Sequence, residues 1–283
     1  MSDLHQVNFP IGYSPCPNDT FIFDAWVNGR LGHQMQPQPQ LLDVETLNLK
    51  AINAELPVTK LSFAAYAHVS EYYQILSSGA ALGNNCGPLV IYRQLPDFSD
   101  PASVKVAIPG RRTTANLLFS IFYPDMVNKT EMVFSEIEDA VLNGHADLGL
   151  IIHENRFTYA AKGLHKLADL GELWESKFAM PIPLGCIAVL RSLPEIQKKQ
   201  IGRAIRESVA WAFAHPDDSK EYVRLHAQEM SETVQQQHIS LYVNRFSLDL
   251  GAVGRAAVRK LFEEGLRAGF LPSLKEPIFA EDE

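Results

Sequence analysis

Short apolar runs alternate with segments of helical period along the first two thirds of this 283-residue chain, and the alternation starts afresh near residue 104. Apolar strands separated by amphipathic helices are the pattern of a parallel sheet covered by helices. In the first stretch Val7 to Tyr13 reads as a strand, Asp19 to Asn28 as a helix closed by Gly29, Leu41 to Val44 as a strand and Ser62 to Ser70 as a helix. The second stretch reads as a strand at Val104 to Ile108, a helix through Thr114 to Phe122, a strand at Glu131 to Phe134, and a helix at Glu136 to Leu142. Ser135 and Glu138 are spaced as a capping box for that helix, and Asp147 to Ile152 follows as a buried strand. After a last strand, Leu184 to Leu190, only helices remain. Ile201, Ile205, Val209 and Ala212 share one helical face, and Leu250, Val253, Ala257 and Leu261 share another, for which Ser247 is the expected N-cap.

An α/β unit, a second α/β unit and a return to helices predict two lobes, the second inserted into the first. Lobe 1 is expected over 1–98 and 190–283 and lobe 2 over 99–189, with crossings near Arg93 to Val104 and near Leu190. Met35 to Gln40, the stretch MQPQPQ, reads as a surface connection. In such an architecture ligands bind between the lobes, where strand C-termini meet helix N-termini and closure excludes water.

Composition narrows the function. The longest nearly uncharged apolar stretch, Met180 to Leu190, is broken by Pro181, Pro183 and Gly185 and is shorter than the ~20 residues of a membrane-spanning helix. A net charge of −8 argues against binding nucleic acid phosphates or an anionic membrane surface, and leaves a small anionic molecule held at a local positive site. Met1 to Asn8 has neither a basic nor a long apolar region, so a cytoplasmic location is expected. Cys16, Cys86 and Cys186 are odd in number and widely spaced, which predicts reduced thiols and neither disulfide nor metal site. Monomer and homodimer are both open.

Four segments carry possible chemistry. Ser14-Pro15-Cys16-Pro17-Asn18-Asp19-Thr20 is a stiff turn between the first strand and first helix, where Asn18, Asp19 and Thr20 are helix-capping types; it is a ligand site or a capped turn. Cys16 as a nucleophile has no neighbour in sequence to lower its pKa. Thr59-Lys60-Leu61-Ser62 precedes a helix, so Lys60 and Ser62 complete an anion cradle at its N-terminus or are an ordinary surface Lys and cap. Pro109-Gly110-Arg111-Arg112-Thr113-Thr114-Ala115 repeats that logic in the second lobe without a Walker pattern. His153, before Glu154 at the end of an apolar strand, is placed for proton abstraction or for holding a loop, and the other eight histidines read as solvated. Asp43, Glu45 and Asn48 read as the wet face of an edge strand.

The segments from Gly12 through Phe23, Asp43 to Asn48, Thr59 to Ser62, Pro109 to Ala115 and Ile151-Ile152-His153-Glu154 closely resemble the 1,4-dihydroxy-6-naphthoate synthases of the futalosine route to menaquinone. The resemblance continues through Pro183-Leu184-Gly185 and Tyr242-Val243-Asn244 to Phe246-Ser247-Leu248-Asp249, nearly the whole chain. It implies a type II periplasmic-binding-protein-like fold and a cofactor-free, metal-free lyase that turns cyclic dehypoxanthine futalosine into 1,4-dihydroxy-6-naphthoate. The family's histidine transfers as proton acceptor to His153, and its substrate-lining segments transfer to Lys60, Leu61, Ser62, Thr113, Thr114 and Ala115. Ser14, Asn18, Thr20 and Asn48 are further candidates, and Arg112 stands where a relative has histidine and receives no role. The alternatives are a non-catalytic carboxylate receptor of the same fold and the chorismate dehydratase of the same pathway.

Overall fold

A computed structural model describes residues 7–228 and 231–280; the first six residues, part of the stretch from which a missing export signal is read, lie outside it. The chain begins with β1 (Val7–Tyr13), α1 (Pro17–Val27), β2 (Met35–Leu41), α2 (Val44–Ile52), β3 (Val58–Ser62), α3 (Phe63–Val69), β4 (Tyr73–Ile75) and β5 (Ala81–Gly83). It continues with β6 (Leu89–Tyr92), β7 (Val106–Ile108), α4 (Thr114–Phe122), β8 (Lys129–Glu131), α5 (Ile137–Leu142), β9 (Leu148–Ile151), α6 (Asn155–Thr158), β10 (His165–Asp169) and α7 (Leu170–Phe178). It returns through β11 (Ile182–Leu190) to α8 (Glu195–Ala214), α9 (Lys220–His226), α10 (Glu232–Tyr242), α11 (Arg245–Leu248) and α12 (Gly251–Arg267).

Two sheets result. The first has the order β2-β1-β3-β11-β4, with β5 also on β11, and the second has the order β10-β6-β9-β7-β8. Both are mixed, not purely parallel: β11 runs antiparallel to β3, and β6 runs antiparallel to β9 and β10. β6 already lies in the second sheet and β11 is in the first from Ile182 onward. The chain therefore passes between sheets after β5 and after α7, ahead of the expected positions near 93–104 and 190.

Other expectations change for local reasons. Met35 to Gln40 is not a connection but most of edge strand β2, paired with β1. Every second N–H of an edge strand faces solvent, so Pro37 and Pro39 at alternate positions remove donors the sheet does not use. Leu41 to Val44 is not a strand: Asp43 caps α2, its Oδ1 accepting the N–H groups of Glu45 and Thr46 at 3.1 and 3.0 Å. No capping box forms at Ser135, because a short 3-10 turn precedes α5 and Glu138 turns inward to Lys162, 2.6 Å from its Nζ. Ser247 does not cap the last helix either; its hydroxyl accepts the Asn244 N–H in a capping box on α11.

The lobes share a core. Phe63 and Tyr66 of α3, Leu118 of α4, Trp174 of α7 and Phe262 of α12 lie in one apolar cluster with strand residues of both sheets. A second cluster sets Ile201, Ile205, Val209 and Ala212 of α8 against Ile22 and Trp26 of α1, using the helical face legible in the sequence. Each fully buried Ile or Val side chain among them contributes about 1.5–3 kcal/mol. On α12 the expected face holds for Ala257 and Leu261, whereas Val253 is 55% exposed.

Candidate active site

The end of β1 and the start of α1 form one wall of a cleft between the lobes. Pro17 occupies the first turn of α1, where its missing N–H costs nothing, and Cys16 is the N-cap residue. None of the expected cap side chains caps the helix. Asp19 instead turns back, its Oδ2 accepting the Ser14 hydroxyl at 2.7 Å and the Ser14 N–H at 3.1 Å. Its Oδ1 accepts Lys60 Nζ at 2.7 Å and Asn18 Nδ2 at 2.8 Å. Lys60 is thus no surface lysine: it lies on β3 with only 5% of its surface exposed, and Asp19 is buried too.

Ser62, at the end of β3, accepts Asn48 Nδ2 at 3.2 Å, and its N–H donates to Asn48 Oδ1 at 3.0 Å. Asn48 also donates to Glu45 Oε2 at 2.8 Å. These α2 residues are therefore an internal bracket for β3 and not a wet strand face. Glu45 reaches further, its Oε1 accepting the Arg112 N–H at 3.2 Å from the other lobe. That contact needs Gly110: its φ is +149°, and a Cβ there would lie 2.6–2.7 Å from the Glu45 side chain. Burial raises the Glu45 carboxyl pKa.

Across the cleft, Thr113 caps α4 by accepting the Asn116 N–H at 3.2 Å. The Thr114 hydroxyl donates to the Leu184 carbonyl at 2.7 Å and accepts the Ala64 N–H at 3.2 Å, tying the start of α4 to the first lobe.

His153 follows β9 with a left-handed φ of 57°. Its Nδ1 lies 3.2 Å from Cys16 Sγ, a contact across the lobes. The ring packs on Phe134, centroids 4.9 Å apart at a 50° tilt, and lies parallel to the His238 ring at 6.0 Å. Burial pushes the His153 pKa down to about 4, and Asp19 opposes that shift. Burial, reinforced by Glu154, raises the Cys16 thiol well above its usual range. Cys16 Sγ, a His153 ring nitrogen and a Glu154 oxygen lie within 4.8 Å of one another.

The cavity between these walls is lined by Ser14, Asn18, Asp19, Lys60, Ser62, Thr113, Thr114, Ala115 and His153, together with apolar groups such as Val44, Ile152 and Leu184. Leu61, Thr20 and Asn48 are buried behind the wall and do not line it. Thr20 bonds the Cys16 carbonyl at 3.1 Å, supporting the turn.

His238, expected to be solvated, is instead 1% exposed, lines the cavity, and has its Nε2 2.9 Å from Asn18 Oδ1. Its Nδ1 is 3.9 Å from Glu154 Oε2. Burial, with His153 and Lys60 nearby, holds its pKa well below the ordinary value. The spacing of Gln235, His238 and Tyr242, all buried on α10, is the helical signal that would have found it.

An apolar cleft with a buried ammonium, helix N-termini and two neutral imidazoles suits a planar anionic ligand that loses a proton.

Comparison with known proteins places this geometry. The family model described as menaquinone biosynthesis matches residues 9–266. A 1,4-dihydroxy-6-naphthoate synthase of Thermus thermophilus is 45% identical over 269 residues, covering 95% of this chain and 98% of that one. Among solved structures, protein AF1704 of Archaeoglobus fulgidus superposes with a TM-score of 0.88 at 34% identity, covering 93% of this chain and 98% of that one. The ligand-binding component of an ABC-type import system from Staphylococcus aureus superposes with a TM-score of 0.71 at 14% identity, covering 98% and 97%, a likeness of fold alone.

Proposed function

The chain belongs to the menaquinone-biosynthesis family, and from that premise we propose that it is a 1,4-dihydroxy-6-naphthoate synthase. It converts cyclic dehypoxanthine futalosine to 1,4-dihydroxy-6-naphthoate by base-initiated fragmentation and aromatisation. The observation that carries the chemistry is His153: one ring nitrogen is engaged by Cys16, and the ring lines the cleft.

Lys60 keeps N–H donors beyond the one given to Asp19, and with the Ser62 hydroxyl and the N-terminus of α4 it holds the substrate's carboxylate or carbonyl oxygens. His153 takes a carbon-bound proton, and the electron pair left behind is spread onto an enolate oxygen facing these donors. Collapse of the enolate re-forms the carbonyl and breaks the bond to the sugar-derived part, which leaves with that electron pair and takes the proton back from the His153 imidazolium, and aromatisation of the ring makes the step irreversible. A bound anion raises the proton affinity of a buried imidazole, so the base strengthens when substrate arrives. The apolar wall keeps water from the enolate.

Three buried, unpaired cysteines suit a reducing compartment, and we place the enzyme in the cytoplasm. The test is direct: purified protein incubated with cyclic dehypoxanthine futalosine forms 1,4-dihydroxy-6-naphthoate, detected by mass spectrometry. Substrate that binds and stays unchanged contradicts the reading.

A further inference from the structure

We propose that Cys16, His153 and Glu154 form a binding site for a zinc-class divalent cation, and that the bound cation switches the enzyme off by occupying the imidazole that takes the substrate's proton. The second half rests on the reading of His153 as the base; the first does not. Cys16 Sγ, a His153 ring nitrogen and a Glu154 oxygen lie within 4.8 Å of one another, and the sulfur is 3.2 Å from His153 Nδ1. A tetrahedral zinc ion with bonds of about 2.0–2.3 Å keeps its ligand atoms roughly 3.3–3.7 Å apart. To admit the ion, the sulfur and nitrogen part by a few tenths of an ångström and the carboxylate closes in. The three side chains come from the N-cap of α1 and the turn after β9, so the cluster exists only where the lobes meet, and no short ligand spacing announces it in the sequence.

A fourth donor stands beside the carboxylate. Asn18 Nδ2 donates to Asp19 Oδ1 at 2.8 Å, which leaves Asn18 Oδ1, an acceptor, for His238 Nε2 at 2.9 Å. His238 therefore carries its proton on Nε2, and burial keeps the ring neutral, so Nδ1 is a bare lone pair. That Nδ1 is buried with no hydrogen-bond partner among the described residues and lies 3.9 Å from Glu154 Oε2, too far for a hydrogen bond. A bare lone pair and a carboxylate across such a gap make a place for positive charge. A carboxylate has about four lone-pair positions, so Glu154 can ligate and keep its other contacts. Thiolate and imidazole are the softer donors that favour zinc over magnesium or calcium. Thiolate and carboxylate together balance the ion's two charges, and the nearby Lys60 ammonium is already paired with Asp19 at 2.7 Å.

On binding, the thiol proton leaves to solvent and a sulfur–metal bond forms. A neutral imidazole has one lone pair in its ring plane. Once His153 Nδ1 holds the metal, Nε2 carries the N–H and no lone pair remains for the substrate, whichever nitrogen was protonated beforehand.

The test uses cobalt(II) as the spectroscopic stand-in for zinc, added to protein stripped of metal by a chelator and kept reduced with a phosphine. One equivalent is expected to give the near-ultraviolet thiolate-to-cobalt band and the intense visible bands of four-coordinate cobalt, both removed by zinc. Cys16→Ala, which keeps Cys86 and Cys186, should lose the thiolate band. If Cys16→Ala does not fold, Cys86→Ala and Cys186→Ala decide, since each must keep it. Saturating zinc should lower turnover of cyclic dehypoxanthine futalosine by about 10²-fold, the low end for loss of a general base, and a chelator should restore it. The absence of a thiolate band in wild type, its survival in Cys16→Ala or its loss in either of the other two variants overturns the site. A band with turnover unchanged by zinc overturns the inhibition. The spectra need no substrate, so a protein that shows the band and leaves cyclic dehypoxanthine futalosine unchanged without metal refutes the proposed function and not the metal site.

Discussion

Lys60 Nζ lies 2.7 Å from Asp19 Oδ1, an ion pair of two buried side chains 41 residues apart that joins β3 to the first turn of α1. Removing one partner strands a buried charge, which costs about 3–5 kcal/mol, whereas removing both costs much less. Asp19→Ala is therefore expected to lose about that much in urea unfolding, and Asp19→Leu combined with Lys60→Met to lose less than the sum of its single changes. Additive losses would show that the pair is not coupled.

Burial holds the His153 pKa near 4, against about 6.5 in an unfolded chain. The unfolded chain then binds the proton more tightly, so the stability linked to this group is complete above about pH 6.5 and falls as the pH drops toward 4. Between pH 7.5 and 5, wild type should lose about 2 kcal/mol more than His153→Gln in urea unfolding. By the same shift, kcat/KM should stay flat from pH 8 to about 6, and a drop centred at 6.5 would contradict it.

Gly110 sits at φ +149° with the Glu45 carboxyl where a side chain would go. Gly110→Ala should cost about 1–3 kcal/mol and raise KM, because it strains the turn and pushes Glu45 off the Arg112 N–H. Adding Glu45→Ala should recover the steric part of that loss and leave the backbone part. A thermal melt series separates the two, and an unchanged Tm in Gly110→Ala would refute the clash.

Much of this was legible in the sequence where a feature is local. The α8 face, the strand ahead of His153 and the turn after β1 follow from periodicity and turn chemistry. The failures have physical causes. Leu89–Tyr92 is a four-residue apolar run that pairs only with distant strands, so its membership of the second sheet is invisible locally. Pro37 and Pro39 look like a linker until an edge position excuses them. His238 reads as solvent-facing, and Lys60 is left open between an anion cradle and a surface lysine, because their partners, Asn18 and Asp19, lie far away in the chain. Cys16 and His153 meet only when the two lobes are brought together.

The most direct measurement is the turnover of His153→Ala on cyclic dehypoxanthine futalosine beside wild type, with circular dichroism confirming an intact fold. Loss of a general base should lower kcat by about 10²- to 10⁴-fold. Turnover within about tenfold of wild type would show that another group removes the proton and that His153 is not the base.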